Sequence, residues 1–522
     1  MVKITTISRD DDAHTRRTSY ETTRHFSDPN PELIHRFEKP REYIRAINAA
    51  KIDNIYAKPF LADLSGHADT PTCICTDPNS LIHIISGSCD GQIRVWDLTE
   101  RKTIYAIDRA HNGFVNGIVI PPYRHSSDSS ENSFYFTVGT DKHLKRWELN
   151  LKVANVNPNM ASTKFGSIGY TLADYVGGGR ASNNNTNVKL PSYATPIQDV
   201  VSHNALLCID HHYSDPILVT SGHEYVQIWD CSGNSSSSLI PGSSSRLVCK
   251  QEYELATSTE TIYSVKFNKV EKNLIAYCAR DRTVGLYDMK TNQMIRAVTM
   301  QTKSNKVCWS PMNPFHFSAA NEDGNVYTFD MRILEKGPLM MHTGHINAVL
   351  DVDYNPSGTE IVTAGYDKTI RIFRTDSTSY KAREVYHTKR MQRVFCVKYS
   401  GDGRYIYSGS DDQAIRIWKN ERSAPLRGGG MTKKEQQQIE YNQKLIERYR
   451  SVDEVRKIAN HRHLPHRVKT QSKEMQKERE AEERREKVRE RFTKKKDTNK
   501  NTLTAKIEKV KAMRKRFLKV NE

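Results

Sequence analysis

The sequence of 522 residues lacks several features that define familiar functional classes. No run of about 18 apolar residues occurs, so no membrane-spanning helix and no membrane partner are predicted. The N-terminus has no apolar segment of the kind found in secretory leaders, so secretion is not expected. The nine cysteines are scattered without a Cys-x-x-Cys pair. This spacing predicts reduced thiols in an intracellular protein and no metal site.

The signatures of catalysis are also missing. No glycine-rich loop is followed by Lys-Ser or Lys-Thr, so no phosphate-binding loop is predicted. No pair of carboxylates lies outside a repeated position. We therefore predict that the protein is not an enzyme, with no catalytic residue, no cofactor and no small-molecule substrate.

One short pattern does occur, and it occurs seven times. Small or hydroxyl-bearing residues lead into a turn, and a strand of alternating apolar residues then ends on an aromatic residue. Residues 86–97, for example, read SGSCDGQIRVWD. The closing aromatic residues are Trp96, Trp147, Trp229, Tyr287, Phe329, Phe373 and Trp418. The last three intervals are 42, 44 and 45 residues, which is the period of WD repeats. The pattern predicts an all-β, seven-bladed propeller over residues 60–420.

Three of the copies carry a polar set that resembles the His–Ser/Thr–Asp–Trp hydrogen-bond tetrad of WD repeats. The three sets are His67, Ser86, Asp90 and Trp96; His111, Thr137, Asp141 and Trp147; and His387, Ser408, Asp412 and Trp418. A buried aspartate needs such donors, because an unpartnered buried carboxylate is costly. A catalytic triad is the alternative, but a set that repeats from blade to blade is typical of structure.

Other blades depart from the pattern. Blade three has His223 where the turn aspartate is expected, and blades four to six end on residues without an indole N–H. Blade six keeps His345, Thr363 and Asp367. Two segments rich in Ser, Gly or Asn, residues 151–199 and 231–245, are predicted to be loops.

An N-terminal arm, residues 1–59, precedes the repeats. Tyr43, Ile44, Ile47 and Ile52 give a predicted helix a short apolar face. This arm either caps a blade edge, anchored through Ile55, Tyr56 and Phe60, or docks another subunit. Residues 60–64 are expected to pair with the last blade and close the ring, which would remove an exposed sheet edge.

The C-terminal extension, residues 421–522, differs sharply in composition. From residue 431 onward it has 29 Lys and Arg against 15 Asp and Glu, which gives +14 of the chain's net charge of +18. Helix-forming residues dominate. Residues 440–459 have an amphipathic pattern that suits packing on the propeller or a partner. Pro465 is expected to end or kink that helix, and residues 471–492 predict a second, highly charged one.

Long basic helices suit a polyphosphate backbone, so this extension is predicted to bind RNA. The candidate contacts are Arg448, Arg450, Arg456, Lys457, Arg462, Arg467 and Lys469. Contact with protein alone, or service as a localisation signal alone, remains open as an alternative.

A further motif is FDMR, residues 329–332. Phe329, Asp330 and Arg332 resemble the WDxR signature with which some WD-repeat proteins bind cullin-ligase adaptors. Because an aromatic residue followed by Asp is ordinary in a blade, a purely structural role is the alternative.

Residues 38–60 and 440–465, which flank the repeats, resemble the corresponding segments of Sof-type nucleolar WD-repeat proteins, which have a Sof-like C-terminal domain. The resemblance implies a scaffold of the small-subunit processome in the nucleolus of the nucleus. It would act in pre-rRNA processing and 18S rRNA maturation within the box C/D small nucleolar ribonucleoprotein assembly. The implied partners are pre-rRNA or small nucleolar RNA and other processome proteins. For animal members it also implies a cullin-RING ligase, which makes a substrate receptor the alternative function.

Overall fold

The computed structural model describes residues 37–122, 133–149, 195–223, 225–231, 248–254, 261–375, 381–422, 433–492 and 517–521. Within them, antiparallel strands form seven sheets, the blades of the predicted propeller. The seven-bladed WD-repeat fold is thereby confirmed. The first 36 residues are among those outside the described part.

Each blade has four strands in the order of the chain, with the fourth strand of blade seven coming from the other end. Blades one to four comprise β2 (Pro71–Thr76), β3 (His83–Ser88), β4 (Ile93–Asp97) and β5 (Lys102–Ile107); β6 (Val115–Val119), β7 (Ser133–Gly139), β8 (His143–Leu149) and β9 (Gln198–Val201); β10 (Leu206–His211), β11 (Ile217–Gly222), β12 (Tyr225–Asp230) and β13 (Val248–Glu254); and β14 (Ile262–Phe267), β15 (Leu274–Ala279), β16 (Thr283–Asp288) and β17 (Gln293–Met300). Blades five to seven comprise β18 (Ser304–Trp309), β19 (His316–Asn321), β20 (Asn325–Asp330) and β21 (Met340–Thr343); β22 (Val349–Tyr354), β23 (Glu360–Gly365), β24 (Ile370–Arg374) and β25 (Glu384–Tyr386); and β26 (Val394–Tyr399), β27 (Tyr405–Ser410), β28 (Ala414–Lys419) and β1 (Phe60–Ser65). Blade four also receives a fifth strand, β29 (Phe517–Asn521).

The ring closes as the sequence predicts. Strand β1 pairs antiparallel with β28, so that Leu64 lies opposite Ile415 and Phe60 lies opposite Trp418. The rings of Phe60 and Trp418 meet edge to face, with centroids 5.6 Å apart. Because β1 comes from the start of the repeats and β28 from their end, blade seven joins the two ends of the propeller.

The core of the propeller lies between neighbouring blades. In the cluster between blades one and two, Ile85 and Val95 of the first pack with Tyr135 and Trp147 of the second, and all four are buried. Alternate residues of each strand therefore face an adjacent sheet, as expected where both faces of a blade are covered.

The C-terminal boundary of the predicted insert, residues 151–199, lies earlier in the structure than the sequence predicts. Residues 150–194 lie outside the described part of the chain, but Gln198 and Asp199 belong to β9, which pairs with β8. The insertion therefore separates the third and fourth strands of blade two. Residues 232–247, which cover most of the second predicted loop, are not described; they separate the third and fourth strands of blade three.

The described residues also form four α-helices: α1 (Glu38–Tyr56), α2 (Lys433–Arg448), α3 (Asp453–Ala459) and α4 (His466–Phe492). The chain divides into two compact units. One, which we call the helical unit, comprises residues 1–59 and 421–462 and contains α1, α2 and α3. The other, the propeller unit, comprises residues 60–420 and 463–522. The N-terminal arm and part of the C-terminal extension thus fold together, although the sequence separates them into two regions.

The predicted role of Pro465 needs correction. The helix expected over residues 440–459 is interrupted between α2 and α3, and it ends at Ala459, before Pro465. Pro465 directly precedes α4, a position where its missing N–H has no cost. Ile55 and Tyr56, at the end of α1, are 71% and 75% exposed, and their anchoring of the arm to a blade stays a prediction.

Candidate functional site

The polar set of blade two forms a continuous chain of hydrogen bonds. Nδ1 of His111 lies 2.9 Å from the carboxylate of Asp141, and its Nε2 lies 2.8 Å from the hydroxyl of Thr137. The indole of Trp147 donates to the same hydroxyl at 2.8 Å. Burial alone would raise the pKa of Asp141, but the hydrogen bond and charge of His111, with backbone N–H groups, lower it to about 2.

Blade one differs from its predicted set in one member. Nε2 of His67 lies 2.7 Å from the hydroxyl of Ser86, which also accepts from the indole of Trp96 at 2.8 Å. Nδ1 of His67, however, lies 3.1 Å from the amide oxygen of Gln92. The carboxylate of Asp90 accepts instead from the backbone N–H of Gln92 at 3.0 Å, within its own turn. The glutamine thus takes the place predicted for the aspartate.

Blade seven differs in two members. The indole of Trp418 donates to the hydroxyl of Ser408 at 2.8 Å, as in the other sets. Nδ1 of His387 lies 2.9 Å from a backbone carbonyl oxygen of blade six. The guanidinium of Arg416, which is almost fully buried, donates to the carboxylate of Asp412 at 3.0 Å. An ion pair therefore replaces the predicted histidine–aspartate contact.

Blade six keeps the polar part of the set without an indole. Nδ1 of His345 lies 3.1 Å from Asp367, and its Nε2 lies 2.7 Å from the hydroxyl of Thr363. In blade five the hydroxyl of Ser318 pairs with Tyr354 of the next blade at 2.6 Å. In each set the serine or threonine hydroxyl is fully buried and makes hydrogen bonds between strands of the propeller. Such sets hold the blades together.

The described residues include no group of three or more His, Cys, Asp or Glu side chains placed to hold a metal ion. All nine cysteines are free. Burial raises the pKa of Cys73 to about 12 and that of Cys75 to about 11, against smaller lowering contributions from nearby hydrogen bonds and lysines. These thiols are therefore protonated at neutral pH and poor nucleophiles.

The helical unit has its own hydrophobic core. Ala46 and Ala50 of α1 are buried against Tyr441 and Leu445 of α2 and Val455 of α3. Small residues on α1 allow the helices to approach closely, and the apolar residues of α2 recur at the four-residue step of a helix. The two sequence motifs that flank the repeats therefore form one structure.

A buried carboxylate lies beside this core. Glu42 of α1 is 2% exposed, and it accepts hydrogen bonds from the hydroxyl of Tyr449 at 2.9 Å and from the guanidinium of Arg448 at 3.3 Å. Partners of this kind are what a buried carboxylate requires. The hydroxyl of Tyr43 also donates to Glu454, which connects α1 with α3.

Three of the seven predicted RNA contacts are engaged within the helical unit. Arg448 pairs with Glu42, and Arg456 pairs with Asp453 at 2.7 Å within α3. The guanidinium of Arg462 donates to two backbone carbonyl oxygens at 2.7 Å and 2.9 Å. The sequence pattern does not reveal these contacts.

The other four candidates are Arg450, Lys457, Arg467 and Lys469. Arg450, Lys457 and Arg467 are exposed, and the described part of the chain offers no side-chain hydrogen bond or ion pair to any of them. Lys469 is half-buried in the first turn of α4. Arg450 and Lys457 belong to the helical unit, and Arg467 and Lys469 to the propeller unit. Arg450, Lys457 and Arg467 are therefore exposed cations without a side-chain partner among the described residues.

The FDMR motif lies at the end of the third strand of blade five. The carboxylate of Asp330 accepts from the backbone N–H of Arg332 at 3.0 Å and so caps a short 3₁₀ helix, Met331–Lys336. It also accepts from the guanidinium of Arg332 at 2.9 Å. That guanidinium lies over the ring of Phe315, 4.3 Å from its centroid, and the side chain is 56% exposed. Phe329 is fully buried. The motif therefore presents a fixed arginine at the surface.

Two features of the structure were not predicted from the sequence: the buried Glu42 and the strand β29. Nothing in the sequence around Glu42 marks it as the buried partner of residues about 400 positions away. The only available signal is that its helix has an alanine-rich face, at Ala46, Ala49 and Ala50, which indicates close packing of another element. The strand β29 has no repeat pattern and follows a basic segment, so it was not predicted.

Comparison with known proteins finds matches for the C-terminal extension and for the propeller. A profile described as the Sof1-like domain matches residues 423–511, and the profile of the WD domain, G-beta repeat, matches residues 58–97, 336–374 and 384–419. The chain is similar to proteins named "DDB1- and CUL4-associated factor 13". It is 39% identical to the one from Mus musculus and 37% identical to the one from Xenopus tropicalis, in both cases over 91% of this chain and 92% of the relative. It is 38% identical to the one from Danio rerio, with the same coverage.

No helix in the described part of the chain is long and apolar enough to cross a bilayer.

Proposed function

Because the chain belongs to the Sof1-like family of WD-repeat proteins, we propose that it is a non-catalytic scaffold of the small-subunit processome. It acts in the nucleolus, in pre-rRNA processing and the maturation of 18S rRNA, within the box C/D small nucleolar ribonucleoprotein assembly. Its partners are pre-rRNA or small nucleolar RNA and other proteins of the processome.

The observation that carries this proposal is the joint packing of the two flanking motifs. Residues 38–60 and 440–465 carry the resemblance, and their helices form one hydrophobic core through Ala50, Leu445 and Val455. A scaffold needs rigid surfaces at fixed positions, and a helical unit that is folded before it meets its partners loses less entropy on binding. The closed propeller supplies a second rigid body with several faces.

The charge distribution supports RNA as a partner. The segment from residue 431 onward has an excess of 14 positive charges. Arg450, Lys457 and Arg467 are exposed and have no side-chain partner among the described residues, whereas Arg448 and Arg456 pair with carboxylates of the helical unit. Recognition of this kind reads phosphates and shape, and it needs no base-specific contact.

The test replaces the endogenous protein with a variant in which Arg450, Lys457 and Arg467 are all changed to Glu. The matched control carries the same change at three exposed cations of the propeller, Lys269, Lys290 and Arg404. We expect the first variant to lower 18S rRNA and to spare the large-subunit rRNA, and we expect the control to support both. Normal 18S levels with the first variant would contradict the proposed RNA contact, and normal levels after depletion of the protein would contradict the proposed function.

Binding in vitro separates phosphate contact from protein contact. The affinity of the purified chain for single-stranded RNA should fall as salt rises, and each phosphate contact contributes about 0.7 to the slope of log affinity against log salt concentration. Loss of three contacts should therefore reduce the slope by about 2. A slope that is equal in the variant, its control and the unmodified chain would contradict RNA binding through these residues.

A second candidate function is that of a substrate receptor for a cullin-RING ubiquitin ligase. The relatives' printed name associates them with DDB1 and CUL4. The specific observation in its favour is the exposed guanidinium of Arg332, oriented by Asp330 and stacked on Phe315. We expect Arg332→Ala to abolish recovery of DDB1 with this protein, and Arg374→Ala, an exposed arginine at the end of β24 one blade away, to preserve it. Equal recovery with both variants, or none with the unmodified chain, would contradict this function.

A further inference from the structure

Blade four is the one sheet among the described blades that has five strands. Its fifth strand, β29, is formed by the last residues of the chain and pairs antiparallel with β17, the outer strand of the blade. Ala297 lies opposite Asn521, Val298 opposite Val520, and Thr299 opposite Lys519. An outer strand has a row of unpaired backbone groups on its free side, and an extended segment can add to them.

The backbone of β17 shows which groups face the added strand. The N–H of Met300 donates inward, to a carbonyl oxygen of blade four at 2.8 Å. Because N–H groups point to alternate sides along a strand, Val298 also faces β16, and Ala297 and Thr299 face outward. Lys519 and Asn521 are therefore the residues of β29 whose backbone groups face β17.

The side chains of this part of β17 are already used within the blade. Ala297, Val298 and Met300 are buried, and Val298 and Met300 belong to the hydrophobic core shared with blade five. These side chains pack within the propeller, and the backbone ladder is the contact that joins β29 to β17.

We propose that the outer edge of β17 is a peptide-binding edge, and that the chain's own C-terminal segment, Phe517–Asn521, occupies it as a displaceable strand. This inference does not depend on the proposed function. Residues 493–516 join α4 to β29, and 24 residues can extend over as much as about 80 Å.

The test uses the full chain with one of two proline substitutions. Lys519→Pro removes an N–H that faces β17, and Val520→Pro removes one that faces away, so the two substitutions alter backbone groups on opposite sides of the strand. The measurement is hydrogen exchange at the amides of Ala297 and Thr299, relative to those of Val298 and Met300. We expect Lys519→Pro to speed exchange at Thr299 by about tenfold or more, and Val520→Pro to change it by less than about twofold.

A synthetic peptide of residues 513–522 then tests binding in trans. Added to the Lys519→Pro chain, it should slow exchange at Thr299 again, and N-methylation at its residue 519, but not at 520, should abolish the effect. At an effective concentration of about 1 mM for the tethered segment, a peptide with a Kd of about 0.1 mM should bind the unmodified chain about tenfold more weakly than the variant.

Equal exchange at Thr299 in the two proline variants would overturn the proposal, as would a peptide that binds the unmodified chain and the Lys519→Pro chain equally. A dimer of the unmodified chain that becomes a monomer with Lys519→Pro would show that the segment binds a second copy, and would overturn occupation within one chain.

Discussion

The hydroxyl of Tyr449 donates a hydrogen bond of 2.9 Å to the buried carboxylate of Glu42, 407 positions earlier in the chain. Burial, with the hydrogen bond and negative charge of Glu42, raises the pKa of Tyr449. The contact joins the N-terminal arm to the Sof1-like segment, although the whole propeller sequence lies between them. The profile of the Sof1-like domain matches residues 423–511. It therefore leaves out α1, which belongs to the same helical unit as α2 and α3.

Replacement of Glu42 should destabilise the helical unit. Glu42→Ala leaves the hydroxyl of Tyr449 and the guanidinium of Arg448 without their acceptor, and we expect the free energy of unfolding to fall by about 1–3 kcal/mol. Hydrogen exchange in α1 and α2 measures the change. Glu447→Ala, an exposed glutamate of α2, is the control and should have little effect. Equal effects of the two substitutions would contradict a special role for Glu42.

Truncation of the core residue Leu445 should loosen a helix that is distant in sequence. Leu445 is fully buried against α1 and α3. Leu445→Ala should cost about 2–5 kcal/mol through lost burial and the cavity left behind. We expect hydrogen exchange to accelerate in α1 as well as in α2. Faster exchange confined to α2 would show that α1 does not depend on this core.

The sequence predicts the propeller well because its determinants are local and repeated. The third strand of each blade carries an aromatic residue at or near its end, and the last three of these recur at intervals of 42, 44 and 45 residues. The strand from residue 60 is expected at the edge that the last blade leaves open. Both expectations rest on periodicity and on the cost of a free sheet edge, and β1 pairs with β28 as expected.

The predictions that are wrong concern residues whose partners are chosen by tertiary contacts. The predicted apolar face of α1 is only partly covered: Tyr43 and Ile47 pack against α2 and α3, whereas Ile44 and Ile52 are 57% and 50% exposed. The sequence does not show that the covering helices come from the other end of the chain. Asp90 and Gln92 are both able to bond a histidine, and only the geometry of the turn selects Gln92. In blade seven the buried Arg416 competes for Asp412, a choice that residue spacing does not encode.

Stability of the propeller should depend on the protonation of His67. Burial and the positive charge of Arg94 lower the pKa of His67 to about 4, against a raising contribution from Gln92. The unfolded chain, with a histidine pKa of about 6.5, therefore binds a proton first as pH falls, and stability is lost from about pH 6.5 towards 4 by at most about 1.4 kcal/mol per pH unit.

The measurement is the urea midpoint at several pH values between 7 and 4. His67→Gln should flatten the loss of stability over this window, because the titrating group is gone. His203→Gln, which removes an exposed histidine of the propeller, should leave the profile unchanged. A profile that is identical in all three proteins would exclude His67 as its source.

Closure of the ring should be sensitive to β1. Leu64 is fully buried in the core between blades seven and one, so Leu64→Ala should lower the free energy of unfolding by about 2–5 kcal/mol. Leu81→Ala, at an exposed leucine, should change it by less than about 0.5 kcal/mol. Chemical denaturation followed by tryptophan fluorescence compares them. A similar small loss for both would mean that β1 adds little to closure.

The most direct measurement is ultraviolet crosslinking of the protein to RNA in cells, followed by sequencing of the attached fragments and identification of the crosslinked peptides. The account predicts fragments of pre-rRNA or box C/D small nucleolar RNA attached within residues 433–492, and their loss when Arg450, Lys457 and Arg467 are all changed to Glu. Recovery of no RNA above the background of an unrelated protein, or undiminished crosslinking by that variant, would contradict it.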